Sequence, residues 1–304
     1  MSKNNQAKIV LLIILLFLLS ALMHSSPSEK YLINDASLWG DRLSAIKYIH
    51  FSIDDGNYFL EDLTANNYPN AFCQPMLAFL KDLHEKYGIC VSIYVFYDWD
   101  LAENGFDISQ ATDRYQEDFT ANASWLKFGF HAADANSYKE TDPDFLISAY
   151  NATISELLRI TGSEMCIDRF IRLDRYTATE QMVTALTHVT VPVVGLLIAD
   201  RSDAPTRESY SLSIDERINC YENDWYVDNA GMSYTPTDIR LESIENDTAF
   251  RTALSQMANQ EQLIIFTHEW IFEDPMVQHY LTLFAQISEA HNVPWGFPQD
   301  YVER

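Results

Sequence analysis

The sequence has 304 residues, 47% of them apolar and 13% aromatic, and a formal net charge of −24. That length can bury a sizeable core in one domain of α/β-barrel size, and the apolar content excludes a disordered chain. The charge argues against nucleic acid and anionic membrane surfaces as partners, because both would be repelled.

Residues 1–26 read as a signal peptide or an N-terminal anchor. Lys3 and Lys8 precede an apolar run over 9–23, broken by Ser20 and followed by His24, Ser25 and Ser26. As a helix this run spans about 22 Å, short of the roughly 30 Å hydrocarbon core, which favours a secretory signal. A poor small-x-small cleavage pattern leaves the anchor open. Either form predicts a secreted or surface-anchored protein that meets the membrane only through this segment. Residues 27–304 read as one barrel domain. Cys73, Cys90, Cys166 and Cys220 match no zinc spacing, and no disulfide is expected.

The first strand is predicted at 48–53, ending in Asp54, Asp55 and Gly56. A loop rich in Asn and Asp follows. Apolar residues at three- and four-residue spacing then predict a helix over 70–86, stopped by Gly88. The second strand, 89–97, ends in Asp98, Trp99 and Asp100. A polar helix over 108–119 and a third strand over 125–130 lead to His131. A helix over 143–160 is closed by Thr161 and Gly162, and a fourth strand, 166–173, ends at Asp174. A helix over 179–188 precedes a fifth strand, 193–199, ending at Asp200. The polar stretch 201–242, punctuated by Trp225, Tyr226, Gly231 and Tyr234, reads as a small β-rich insertion. A helix over 247–259, a sixth strand over 262–267 ending at His268, a helix over 275–291 and a short strand over 293–297 complete the chain. This alternation implies a parallel sheet with crossover helices.

Reactive side chains close the strands: Asp54 and Asp55 the first, Asp98 the second, His131 the third, Asp174 the fourth, Asp200 the fifth and His268 the sixth. In a parallel barrel these strand ends share one face, where barrel enzymes build their active sites. Helix capping or a satisfied core histidine explains each residue singly, but not the whole set. Two adjacent carboxylates at a strand end repel each other unless a cation or a shared proton relieves them.

FSIDDG at 51–56, FGFHAADANS at 128–137 and IIFTHEW at 264–270 resemble, in order and context, three motifs of the polysaccharide deacetylase superfamily, carbohydrate esterase family four and its relatives. The resemblance spans residues 47–298 and implies an irregular (β/α)7 barrel. It also implies a metal-dependent hydrolase that removes N- or O-acetyl groups from a carbohydrate, with a divalent ion, zinc first, as cofactor. Asp54 would be the general base, Asp55 and His131 metal ligands, and His268 the general acid. Arg172 would orient the base. The family's second metal histidine falls four residues after the first, where this chain has Ala135. Asp134 is the expected replacement, with Asn136 and Asp174 as rivals; two carboxylates and one imidazole suit zinc and favour harder ions. The family's Arg-x-Pro-Tyr motif survives only as Arg172-Leu173-Asp174-Arg175-Tyr176. These departures keep an alternative in view, a degenerate barrel that binds glycans without turnover. Tyr97, Trp99, Tyr176, Trp270 and Trp295 are the candidate mouth aromatics. His50, His84, His188, His279 and His291 receive no role.

Overall fold

The computed structural model describes residues 45–98, 105–201, 207–256 and 260–302. The signal or anchor segment, the lead-in over 27–44, Trp99 and Asp100 lie outside them. No helix among the described residues is long and apolar enough to cross a membrane.

β1, Tyr48–Asp54, is buried along its whole length. A strand paired on both edges and covered on both faces needs a near-continuous apolar run, and β1 departs from that only at His50, Ser52 and Asp54, which share one face of the pleat. Its parallel neighbours are β2 (Val91–Phe96) on one edge and β9 (Gln262–His268) on the other. β3 (Leu126–Ala132) lies parallel beyond β2. A second sheet holds β4 (Phe170–Ile171), β5 (Gly195–Asp200) and β7 (Ser233–Thr237) in parallel, with β6 (Tyr226–Val227) antiparallel on β7.

Two junctions join the sheets into a barrel. Phe128 of β3 bridges Ile167 just before β4, and the Asp168 N–H donates to Phe128 O at 2.8 Å. On the far side the chain steps from β7 to β8 (Ile239–Arg240), which pairs in parallel with β9. Asp238 fixes that step: its N–H donates to Ile264 O at 2.8 Å, and its Oδ2 accepts the Ile264 N–H at 2.6 Å. Among the described residues the wall therefore runs β1, β2, β3, β4, β5, the β7–β8 segment and β9 back to β1. The alternation predicts the parallel sheet with crossover helices, and the wall is an irregular seven-stranded barrel of the kind the resemblance implies.

The stretch after β5 is β-rich, and its β7 and β8 belong to the wall. The seventh strand predicted at 293–297 does not. Trp295 makes one bridge to Ile49, with Ile49 N–H donating to Pro294 O and Gly296 N–H to Ile49 O, both at 2.9 Å. β2 begins pairing only at Phe51, so the segment fills the edge of β1 left open at Ile49. Trp295 thus sits near the start of β1, away from Asp54.

α1, Tyr58–Asn66, occupies the stretch expected to be a loop. Its first amides have a partner from the other end of the chain: Glu269 Oε2 accepts from Tyr58 N–H at 2.7 Å and Oε1 from Phe59 N–H at 2.6 Å. A cap so distant in sequence leaves no local signal. α2 (Pro75–Tyr87) follows, with Pro in the first turn and a side-chain cap from Gln74. The expected helix over 108–119 is a 3₁₀ turn at Ile108–Gln110 and then α3 (Gln116–Ala121). α4 (Pro143–Thr161), α5 (Glu180–Leu186), α7 (Asp247–Gln256) and α8 (Pro275–His291) stand where apolar spacing predicts them. Between α5 and α7, α6 (Ile214–Asn223) begins with a capping box between Ser213 and Glu216.

Candidate active site

The corner of interest lies where β1, β3, β4 and β9 end. Asp54 closes β1 directly opposite His268 of β9. Asp55 has φ 60, a left-handed conformation that Asp tolerates better than most residues. That conformation interrupts strand alternation and sends the neighbouring carboxylates to different partners. Gly56 then passes close to β2, where a Cβ would meet Ile93 Cγ2 at 2.2 Å, so the turn requires glycine. Asn57 completes the lock, exchanging side-chain hydrogen bonds with the Phe96 N–H and carbonyl at 2.9 and 3.0 Å.

Asp54 is 2% exposed and is held by Arg172, whose Nη1 lies 2.6 Å from Oδ1. Arg172 is itself buried, donating also to Ser52 Oγ at 3.1 Å and Thr237 Oγ1 at 3.0 Å, with its guanidinium 4.3 Å from the Phe266 ring centre. Burial favours the neutral carboxyl of Asp54, but the Arg172 charge and hydrogen bond, with help from His131 and His268, hold its pKa below the ordinary value. An ionised carboxylate with one oxygen tied to a guanidinium is equipped to accept a proton.

His131, buried at the end of β3, has Nδ1 2.7 Å from Arg172 O. A carbonyl only accepts, so Nδ1 carries the proton and the Nε2 lone pair faces the other way. It faces Asp55 Oδ1 at 3.5 Å and Asp174 Oδ1 at 3.9 Å. Burial raises the pKa of both acids; for Asp55 the charge of Asp54 adds to this, while His131 opposes it in each. One free imidazole nitrogen and two mutually repelling carboxylates are a donor set for a divalent cation.

The spacing is looser than the chemistry. Among the described residues no three His, Cys, Asp or Glu side chains form a finished cage. Two ligands on one tetrahedral zinc stand about 3.3 Å apart, so the donors would have to draw in by a few tenths of an ångström. The donor identities fit a metal, while among the described residues no group of three such side chains is placed to hold an ion.

Asp134, the expected third ligand, is not brought to this corner. Its Oδ1 accepts from Asn136 N–H at 2.7 Å and its own N–H meets Ser137 Oγ at 3.2 Å, a local turn in the loop after β3. Asp174, the rival from the fourth strand, stands in its place. Consecutive left-handed residues follow it, Arg175 at φ 53 and Tyr176 at φ 57, turning the chain sharply after β4.

His268 carries a partner that no motif announced. Its Nδ1 is 2.6 Å from Glu242 Oε1, while Glu242 Oε2 accepts from Thr267 Oγ1 at 2.8 Å. Burial would lower the His268 pKa; the Glu242 hydrogen bond and the charges of Asp54, Glu242 and Asp55 outweigh this and raise it. The protonated form of the ring is therefore favoured beside Asp54. Glu242→Gln should lower the His268 pKa, so that the protonated fraction falls at any given pH. The alkaline limb of a rate profile that needs protonated His268 should move toward acid. A rate–pH profile and an NMR titration of the ring check this, and an unmoved limb would remove Glu242 from the role.

Trp270 is 57% exposed and its Nε1 donates to Asp55 Oδ2 at 3.1 Å, confirming one aromatic at the mouth. Tyr176 is buried and Tyr97 half-buried. Asp200 pairs with Arg240 at 3.1 Å, and Asp98 is exposed in a bridge with Asp107, so both strand-end acids belong to other surroundings.

Together, the closed parallel wall and the residues gathered where its strands end define a (β/α)-barrel with a candidate catalytic mouth. No family model matches the sequence, and no curated protein does. Among solved structures the chain is similar to a 4-α-glucanotransferase from Thermococcus litoralis, with TM-score 0.51 and 13% identity over 84% of this chain. The chain spans 40% of that protein's length. It is also similar to a protein assigned as a polysaccharide deacetylase from Mycobacterium smegmatis, at TM-score 0.46 and 12% identity over 83% of this chain and 87% of that one. A third is a protein from Bordetella bronchiseptica assigned as a polysaccharide deacetylase involved in O-antigen biosynthesis, at TM-score 0.39 and 11% identity over 81% and 91%. At these identities the likeness is one of fold.

Proposed function

We propose that the chain is a divalent-metal-dependent hydrolase that removes N- or O-acetyl groups from a carbohydrate. The observation that carries this reading is the combination in one corner of a His131 Nε2 facing Asp55 and Asp174 with an Arg172-held Asp54 opposite a Glu242-held His268. Asp55, His131 and Asp174 would hold the ion; zinc suits them, and the two carboxylates extend the choice to harder ions. Bound there, the ion would polarise the acyl oxygen and acidify a water.

The chain's own groups supply the proton transfers. Asp54 takes a proton from the water as its oxygen adds to the acyl carbon. Arg172 keeps Asp54 ionised and oriented through that step. His268 then gives its proton to the leaving nitrogen or oxygen, the acyl C–N or C–O bond breaks, and the acid departs from the amine or alcohol. The N-terminal apolar run supports a secreted or surface-anchored setting in which such a glycan is met.

The second reading, a glycan-binding barrel without turnover, is favoured by the lack of a finished cage among the described residues. Zinc titrated into chelator-stripped protein separates the two. Wild type should bind, Asp134→Ala should bind equally, and Asp174→Ala should lose roughly a hundredfold or more, since even residues behind a ligand are worth 10–100-fold. Equal affinity in Asp174→Ala removes that ligand. No binding of zinc, manganese or cobalt to wild type transfers the chain to the second reading.

A further inference from the structure

Beside the catalytic corner lies a cleft of about 470 Å³ that the proposed chemistry does not use. Its walls include the rings of Tyr58, Tyr68 and Trp270, and its other lining includes Asp62, Glu269 and Glu273. Trp270 joins the two regions, with its Nε1 bonded to Asp55 and its ring bordering the cleft. Tyr58 is 42% and Trp270 57% exposed, which leaves large apolar faces in water. The Trp270 ring is nonetheless held in place by its hydrogen bond rather than by burial. Asp62 is held too: Oδ2 accepts from Tyr68 OH at 3.1 Å, so a carboxylate and a ring edge are fixed together.

Aromatic faces suit the apolar face of a sugar ring, and an ammonium near such a face is attracted by the ring's quadrupole. The charge selects among sugars. No lysine or arginine lines the cleft among the described residues. Glu269 spends both oxygens on the first amides of α1. Asp62 accepts from Tyr68 OH on Oδ2 and from Asn66 Nδ2 on Oδ1, so it offers a ligand its charge and remaining lone pairs, beside the carboxylate of Glu273. A uronic acid or sulfated sugar would meet repulsion here, as it would from the chain's net charge of −24.

We propose that this cleft is a subsite for a sugar unit bearing a free, protonated amine, adjacent to the unit from which the acyl group is removed. This rests on the deacylase reading for its meaning: the enzyme would favour glycans in which amine-bearing and acylated units are neighbours. The amine-bearing unit would stack on Trp270, with its ammonium toward Asp62 and Glu273.

The test is binding to the chelator-stripped full chain, which needs neither metal nor turnover. The probes are a glucosamine tetramer, its fully N-acetylated counterpart and a galacturonate tetramer, followed by calorimetry and tryptophan fluorescence. The glucosamine tetramer should bind roughly tenfold more tightly than the N-acetylated one, with an affinity that falls as salt rises, and the galacturonate should not bind. Trp270→Ala should abolish binding of the first two. Asp62→Asn with Glu273→Gln should erase the preference while leaving the affinity for the N-acetylated tetramer unchanged; hydrolysis of a small acetyl ester by wild type is read separately with zinc. Equal affinity for amine and N-acetyl forms, or binding that survives Trp270→Ala, overturns the subsite. Absence of hydrolysis with the binding preference intact would instead reject the deacylase reading and leave the subsite standing.

Discussion

Asp54→Asn is expected to lower turnover by about 10²–10⁴-fold, the usual worth of a positioned base, while metal affinity stays at the wild-type level. The substitution is nearly isosteric, and an amide still accepts from Arg172 Nη1 through its oxygen. What it lacks is the ability to take a proton. In the proposed site the metal-facing oxygens belong to Asp55 and Asp174, so the substitution leaves the proposed ligands untouched. Turnover on an acylated oligosaccharide, read together with bound zinc in the same sample, decides the point. Full activity in Asp54→Asn would make Asp54 structural, and loss of zinc along with activity would make it a ligand.

Arg172→Ala is expected to cost about 3–5 kcal/mol of stability, because it strands a buried carboxylate rather than merely removing a contact. The Arg172–Asp54 pair lies at 1% and 3% side-chain exposure, with no solvent to take over the lost partner. The pH dependence gives a second readout. In wild type the folded Asp54 pKa is depressed, so the pair's contribution is full above the ordinary carboxylate pKa and is lost as pH falls through the folded value. Without Arg172 the burial that opposes ionisation prevails, and the variant grows less stable as pH rises past about 4. The gap between wild type and variant should therefore widen from pH 3 to pH 7 in urea unfolding. Adding Asp54→Asn to Arg172→Ala should recover part of the loss, since the stranded charge is then gone. A gap that is constant with pH would mean that Arg172 acts through packing on Phe266 alone.

The strand ends were legible because chemistry and secondary structure coincide there. An apolar run stopping at Asp54, Asp174 or His268 announces both a buried strand and a polar strand end, and the fold gathers those residues. Sequence proximity to His131 favoured Asp134, and in the structure a short turn engages that Asp locally through the Asn136 amide. Asp174 comes near His131 from a neighbouring strand because parallel strands bring their ends together whatever their separation in sequence. Glu242 and Glu269 were invisible for a related reason: each acts on a partner reached only through the closed barrel. The capping box at Ser213 and Glu216, in contrast, was a local signal for α6 that the polar character of the stretch masked. The 293–297 strand failed because alternation alone cannot tell a wall strand from a segment that fills an open edge.

β1 lies between one neighbour that follows it within about forty residues and another, β9, whose register partner for Asp54 is His268. The Asp54–His268 pairing and the cap on α1 by Glu269 therefore wait for nearly the last part of the chain to be made. Until β9 docks, a nascent chain presents one edge of its first buried strand with no partner, the kind of edge that templates association between chains. A C-terminal truncation ending before residue 262 would remove that closing strand and leave the same edge permanently open. The candidate mouth and the protection of β1 are completed in a single late event.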